Sequence, residues 1–91
     1  MAIVIKFKHL GFTEAKYQQT IQKLEEAGLG NPKGRSFHVS YGDKNEVEIF
    51  DIWESMEDFE AFGKTLIPIL SSMGIQLGEP DIQNIFGVIK G

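Results

Sequence analysis

The sequence contains no cysteine, and none of its apolar runs is long. Without cysteine no disulfide can stabilise the fold, and this composition is typical of a reducing compartment. A membrane helix needs about 20 consecutive apolar residues, and no segment approaches that length. The N-terminal apolar stretch is likewise too short for the hydrophobic region of a secretory signal. We therefore expect a cytoplasmic protein that does not enter the membrane.

An excess of basic residues is also lacking, because nine lysines and arginines stand against 13 acidic residues and leave a net charge of −4. Non-specific nucleic-acid binding needs a basic face, so we expect no nucleic-acid partner. The 91 residues are predicted to form one domain, residues 1–91. A domain of this size is marginally stable alone, and oligomerisation is one way to bury more apolar surface.

The first third of the chain predicts a strand followed by a helix. Apolar residues alternate with others from residue 3 to residue 7, which is the period of a strand. Thr13 is a suitable N-cap for a helix over residues 14–27, and Phe12 and Tyr17 are spaced to form a hydrophobic staple. Gly28 follows at the position of a C-terminal glycine cap.

A β-hairpin is predicted next. Residues 36–41 and 47–53 have the composition of strands, and the intervening GDKN is typical of a turn. A four-residue loop would pair Tyr41 with Glu46. In that register one face of the sheet carries Ser36, His38, Ser40, Val47, Ile49, Asp51 and Trp53.

The third strand is apolar on both of its faces. Val47, Ile49 and Trp53 lie on one side, and Phe50 and Ile52 lie on the other. A sheet with one solvated face shows a row of polar residues there. Because two helices on one side cover only one face, we predict that a second copy of the chain covers the other. The predicted partner is therefore the chain itself, in a homodimer that forms through the sheet faces.

The remaining residues predict a second helix and a fourth strand. Ser55 is a suitable N-cap, and the apolar stripe after it contains Pro68, which should kink the helix. Gly74 ends the helix, and residues 82–89 have strand character. The order βαββαβ predicts an α+β, ferredoxin-like two-layer sandwich, in which two helices cover one face of a four-stranded antiparallel sheet.

The run DIWESMEDFEAF resembles the antibiotic-biosynthesis-monooxygenase-like proteins of the dimeric α+β barrel superfamily, in a small uncharacterised branch. It consists of a strand that ends in Trp53-Glu54-Ser55 and a helix that opens on Phe59 and Phe62. The resemblance implies a dimeric α+β barrel, in which two sheets pack face to face in a homodimer. It also implies activities, since some members are cofactor-free oxygenases acting on polycyclic phenols and others degrade haem.

The functional residues of these relatives carry over only in part. In them a tryptophan at the position of Trp53 lines the pocket, with a histidine on the following helix and an asparagine on the first strand. Gly63 stands where that histidine would be, and the first strand offers Lys6, Lys8 and His9 but no asparagine. The haem-degrading activity therefore lacks its ligand, and we expect no cofactor. We expect His9, near the strand end, to face solvent.

His38 and Asp51 are the candidate catalytic residues. The register above places His38 opposite Ile49 and on the same face as Asp51. A carboxylate in an apolar strand needs a partner, which His38 or Arg35 could supply. A His38–Asp51 dyad would orient the imidazole to take a proton from a phenol, whereas a hydrogen-bonded structural histidine is the alternative. For ligand binding we expect Trp53, Phe59, Phe62 and Tyr17, with core packing as the alternative for Trp53.

Two other kinds of site are disfavoured. The acidic residues at the start of the second helix diverge at their spacing, so no metal site is predicted. Residues 33–40 have a superficial likeness to the RNP1 octamer of RNA-recognition domains, which share the βαββαβ order. Arg35, His38 and Ser40 stand where the octamer has an aromatic residue, a valine and another aromatic residue, and the segment falls on the second strand instead of the third.

Two functions remain open from the sequence. The first is a dimeric protein that binds a small apolar or aromatic molecule in a pocket between the sheet and the helices, without catalysis. The alternative is a cofactor-independent, monooxygenase-like enzyme acting on a phenolic substrate. The absence of a histidine at position 63 favours the first.

Overall fold

The computed structural model describes residues 2–91 as one sheet with two helices. The elements in chain order are β1 (Ile3–Lys8), α1 (Glu14–Glu26), β2 (Arg35–Asp43), β3 (Glu46–Trp53), α2 (Met56–Ser72) and β4 (Asp81–Asn84). The strand order is β2-β3-β1-β4, and every neighbouring pair is antiparallel. This confirms the predicted α+β, ferredoxin-like arrangement.

Both helices begin and end where the sequence provides caps. The Thr13 side chain accepts a hydrogen bond from the Lys16 amide, and the Ser55 side chain accepts one from the Asp58 amide. Gly28 follows α1 with a φ of 77°, which is the left-handed conformation that glycine adopts without strain. Pro68 lies inside α2, and the helix continues past it to Ser72.

The core lies between the sheet and the two helices. Ile5 and Trp53 are fully buried at its centre, where Ile3, Leu24 and Phe62 join them in one cluster. A second cluster lies toward the other end of the helices and contains Phe12, Val47, Ile49, Leu70 and Ile75. The residues of β3 that point to the helices are all buried, as the alternation of a strand requires.

The predicted hairpin register is wrong by two residues. Asp43 pairs with Glu46, so the loop contains only two residues, and Tyr41 pairs with Glu48 rather than Glu46. The Asp43 side chain accepts a hydrogen bond from the Asn45 amide at 2.7 Å and so tightens the turn. Because side chains alternate with period two, a shift of two residues leaves each residue from Phe37 onward on its predicted face.

A bulge alters the start of β2. Arg35 pairs with Trp53 and Phe37 pairs with Ile52, so Ser36 is the extra residue and leaves the predicted set. The bulge turns Arg35 to the helix side of the sheet, where its guanidinium lies 5.8 Å from the centre of the Phe62 ring.

The fourth strand is shorter than predicted, since it ends at Asn84 instead of Ile89. The residues after it form no ladder with β1 beyond the bond from the Ile85 amide to the Ala2 carbonyl. Phe86 and Ile89 are 98% and 92% exposed. In the part of the chain that the structure describes, neither helix has the length and apolar character to span a membrane.

Candidate functional site

Three polar side chains form a hydrogen-bonded chain on the helix side of the sheet. Asp51 in β3 lies directly opposite His38 in β2, and its Oδ1 is 2.6 Å from Nδ1 of His38. The other ring nitrogen, Nε2, lies 2.7 Å from the hydroxyl of Tyr17 in α1. With Asp51 as a carboxylate, His38 donates from Nδ1 and accepts the Tyr17 proton at Nε2. The predicted contact between His38 and Asp51 is present, whereas its catalytic role stays a prediction.

Burial and packing hold this chain in place. Asp51 is 2% exposed, and His38 is its hydrogen-bond partner, which meets the requirement that a buried carboxylate be paired. The rings of Tyr17 and His38 stack with centres 5.8 Å apart and planes at 10°. Tyr17 also meets Phe12 edge-on at 6.0 Å, as the predicted staple requires. The alternative partner Arg35 instead donates to the carbonyl of Gly30.

The Tyr17–His38–Asp51 chain borders a small, partly open cavity of about 40 Å³, which we call the interior cavity. Such a volume holds on the order of one to three water molecules. No aromatic substrate fits in it without movement of the helices. The cavity lies between the helices and the sheet, and its other walls are mainly apolar: Phe7, His9, Phe12, Thr20, Ile21, Leu24, Arg35, Ile49, Phe62, Leu66 and Leu70.

A larger groove lies next to this cavity, along α2 and the segment that follows it, and we call it the α2 groove. Its volume is about 370 Å³, within the range of roughly 300–1,000 Å³ that is usual for small-molecule sites. It shares Phe7, His9, Leu66 and Leu70 with the interior cavity, so the two spaces adjoin. Its remaining lining is Phe59, Glu60, Gly63, Lys64, Ile67, Leu77, Gly78 and Pro80.

His9 is the functional candidate that the sequence reasoning missed, because its predicted exposure to solvent is wrong. The residue is 5% exposed, and burial lowers the pKa of its imidazole from the usual value. Its Nδ1 accepts a hydrogen bond from the Gly78 amide at 3.0 Å. The alternation of β1 could have found it, since position 9 has the same parity as the inward-facing Ile5 and Phe7.

The four predicted ligand-binding residues do not line one common space. Phe59 borders the α2 groove, whereas Phe62 and Tyr17 border the interior cavity. Trp53 is fully buried against Phe59 and Phe62 and borders neither space. Its Nε1–H has no hydrogen-bond partner among the described residues. The position of Trp53 is that of a core residue, and its role in ligand binding stays a prediction.

Within residues 2–91 no three histidine, aspartate or glutamate side chains converge as metal ligands would. The histidines are already engaged at Nδ1, His38 with a carboxylate and His9 with a backbone amide. The arrangement can therefore orient an imidazole and offer hydrogen bonds to a ligand.

Comparison with known proteins places this architecture in a class of fold. No family model and no curated protein matches the sequence. Solved structures do match over nearly the whole chain. A proposed antibiotic biosynthesis monooxygenase from Deinococcus radiodurans aligns with a TM-score of 0.65 at 12% identity, covering 99% of this chain and 97% of its own.

Two further structures give the same result. SnoaB, a cofactor-independent oxygenase from Streptomyces nogalater, aligns with a TM-score of 0.64 at 12% identity, covering 99% of this chain and 96% of its own. A proposed antibiotic biosynthesis monooxygenase from Chloroflexus aurantiacus reaches 0.60 at 16% identity, covering 98% and 95%. The chain thus has the fold of the antibiotic-biosynthesis-monooxygenase-like proteins, and the predicted resemblance is confirmed at that level.

Proposed function

We propose that this protein binds a small apolar or aromatic molecule in the α2 groove, between helix α2 and the sheet. The observation that carries the proposal is a volume of about 370 Å³ combined with a mainly apolar lining, beside a cavity of only about 40 Å³. Two spaces of about 500 and 410 Å³ lie against the opposite face of the sheet, which the homodimer proposed below would cover. The groove has a mainly apolar lining with few polar groups, which is the usual character of a ligand site.

The binding test uses naphthalene and 1-naphthol as probes, and binding is detected by NMR through changes in the backbone amide chemical shifts. We expect saturable shifts at residues that border the groove, such as Gly63, Leu66 and Leu77. Gly63→Leu should abolish binding, because Gly63 lines the groove and the added side chain would occupy space that the ligand needs. The substitution should not disturb the fold, since no atom lies within 4 Å of a Cβ at this position. Ala61→Leu adds a similar bulk to an exposed position of the same helix and should leave binding unchanged. Shifts that scatter over the surface, or that survive Gly63→Leu, would contradict the proposal.

A second function, a cofactor-independent, monooxygenase-like enzyme for a phenolic substrate, is favoured by the Tyr17–His38–Asp51 chain. A phenol that donates its O–H to the Tyr17 oxygen could lose its proton as Tyr17 passes its own to Nε2 of His38. Asp51 would stabilise the imidazolium that forms. The resulting phenolate would be the species that reacts with oxygen. This function requires the interior cavity to widen enough to admit the substrate, and it includes the predicted catalytic roles of His38 and Asp51.

Oxygen uptake with a panel of hydroquinones tests this second function. Uptake should exceed spontaneous oxidation with the unaltered protein and fall to that background with His38→Ala and with Tyr17→Phe. Uptake that His38→Ala leaves unaffected would eliminate the proposed proton transfer.

We also propose a homodimer formed through the open face of the sheet, the face opposite the helices. Phe37 and Val39 on this face are 41% and 46% exposed, and Phe50 and Ile52 of β3 lie beside them, half-buried. Exposed apolar surface of this kind indicates an interaction site. Sedimentation at micromolar concentration should show a dimer, and Val39→Glu should give a folded monomer. A monomeric unaltered protein would overturn the proposal.

A further inference from the structure

The structure assigns to His9 the role of a hydrogen-bond donor in the α2 groove, so that the groove selects an apolar molecule that carries a neutral acceptor oxygen, such as a ketone. This inference rests on the proposed binding function. It names the chemistry of the ligand, which volume and apolar lining alone leave open.

The protonation of His9 follows from its backbone contact. Nδ1 lies 3.0 Å from the amide nitrogen of Gly78, and an amide can only donate, so Nδ1 must carry the lone pair. The ring proton of the neutral imidazole is therefore on Nε2. Gly78 holds this contact because its backbone passes against β1, where a Cβ would overlap the carbonyl oxygen of Lys8.

The Nε2–H group is the part of the ring that remains available. Phe7 stacks on the ring at 5.2 Å, Phe12 meets it edge-on at 5.6 Å, and Gly78 occupies the Nδ1 side. Within the described residues the side chain of His9 makes its hydrogen bond through Nδ1, and Nε2 is not among the fully buried atoms that lack a partner, so water can reach it. His9 borders both the α2 groove and the interior cavity. Because Nδ1 and the ring faces are occupied, we infer that the Nε2 edge is the part that meets a ligand there.

A donor that loses its water without gaining an acceptor is costly, which is why buried polar groups in proteins are nearly always paired. A molecule that fills the groove would displace the water from Nε2. A ligand that brings an acceptor satisfies this donor, whereas a hydrocarbon of the same shape leaves it unpaired. Burial lowers the pKa of His9 and so favours the neutral imidazole. A neutral donor suits a ligand with a carbonyl oxygen, whereas a ligand with a carboxylate would need a positive charge beside it. The apolar neighbours Phe7, Phe59 and Leu66 suit the rest of such a molecule.

The test compares 1-tetralone with tetralin, two bicyclic molecules of nearly equal shape that differ in one carbonyl group. Affinities are measured by NMR titration of the unaltered protein and of His9→Phe, which keeps an aromatic ring but removes the donor. We expect His9→Phe to lower the affinity for 1-tetralone about fivefold to tenfold, in line with the loss of one hydrogen bond. The affinity for tetralin should change by less than about twofold.

A second measurement needs no variant. In long-range proton–nitrogen spectra of the unaltered protein, saturating 1-tetralone should shift Nε2 of His9, and tetralin should not. Equal weakening of both probes by His9→Phe, together with an unmoved Nε2 signal, would overturn the role of His9.

The remaining outcomes separate this inference from the binding function beneath it. If both probes bind with equal affinity and Gly63→Leu abolishes the binding of both, the groove remains a binding site and the selection by His9 is overturned. No binding of either probe would overturn both proposals. Intermolecular contacts to Ile67 or Leu77 from a second copy of the chain would do the same, because the groove would then be a subunit interface.

Discussion

His38 lies directly across the β2–β3 ladder from Asp51, and the two side chains are joined by a hydrogen bond of 2.6 Å. Residues directly opposite each other have side chains on the same face and close together. A two-residue shift in register would keep the shared face but lose the close contact. Among the described residues, His38 is the only side chain that forms a hydrogen bond with the Asp51 carboxylate. The other ring nitrogen of His38 meets the hydroxyl of Tyr17.

Replacing Asp51 should destabilise the protein. Asp51→Ala leaves the half-buried imidazole of His38 without its acceptor at Nδ1, and the loss of such a bond to a charged group costs about 1.5–3 kcal/mol. Urea unfolding measures the change in the free energy of unfolding. Glu46→Ala is the control, because its ion pair with Lys8 is about half exposed, and such pairs contribute little. Equal effects of the two substitutions would show that the His38–Asp51 bond contributes nothing special.

Tyr17→Phe should remove the hydrogen bond to Nε2 of His38 while keeping the aromatic ring that stacks on the imidazole. The substitution removes the hydroxyl 2.7 Å from Nε2, at a cost of about 0.5–1.5 kcal/mol in the free energy of unfolding. The ring nitrogen signals of His38 should move at Nε2, since that atom loses its donor. Tyr41→Phe, at a residue 40% exposed, is the matched control and should leave both quantities unchanged. An unmoved His38 signal in Tyr17→Phe would contradict the hydrogen bond.

Stability should fall with acid because of His9. Burial lowers the pKa of this imidazole in the folded protein, so the unfolded chain takes up a proton first as the pH falls. The free energy of unfolding should be highest above about pH 7 and should decrease as the pH falls through 6.5, by at most about 1.4 kcal/mol per pH unit. His9→Gln should remove this part of the slope, since glutamine does not titrate. Identical pH profiles for the two proteins would contradict the shift.

Gly78→Ala should be damaging, although the glycine lies in a loop. A Cβ there would overlap the carbonyl oxygen of Lys8, which belongs to β1 and cannot move freely. We expect a loss of about 1–3 kcal/mol and a shift of the His9 Nδ1 signal as the Gly78 amide moves away. Gly87→Ala is the control, because nothing lies within 4 Å of its added Cβ. Thermal unfolding and the His9 nitrogen spectrum measure both effects.

Much of the fold was predictable because it depends on local patterns. The alternation of β1, the caps at Thr13 and Ser55 and the doubly apolar β3 indicated the elements and their order. The register of the hairpin was not predictable in the same way. The sequence GDKN is compatible with a two-residue or a four-residue loop. The two-residue loop that forms contains a bond from the Asn45 amide to the Asp43 side chain, which the pattern of the sequence did not indicate.

For the candidate site, the sequence predicted which residues of the two strands share a face but not which side chains make contact. The period of a strand determined that His38 and Asp51 share a face, because that property survives a two-residue shift. Their contact required the actual register. Tyr17 comes from a helix 21 residues away, and no pattern along the chain states where its hydroxyl ends.

His9 shows the same division. Its parity with Ile5 and Phe7 follows from the sequence, whereas its burial depends on residues 75–80 folding back against β1. The sequence by itself determined which side chains face the helices, because strand alternation is a property of the local backbone. Only the tertiary structure decided which of them meet and what spaces lie between them, because contacts between distant segments depend on how α2 and its following loop pack on the sheet.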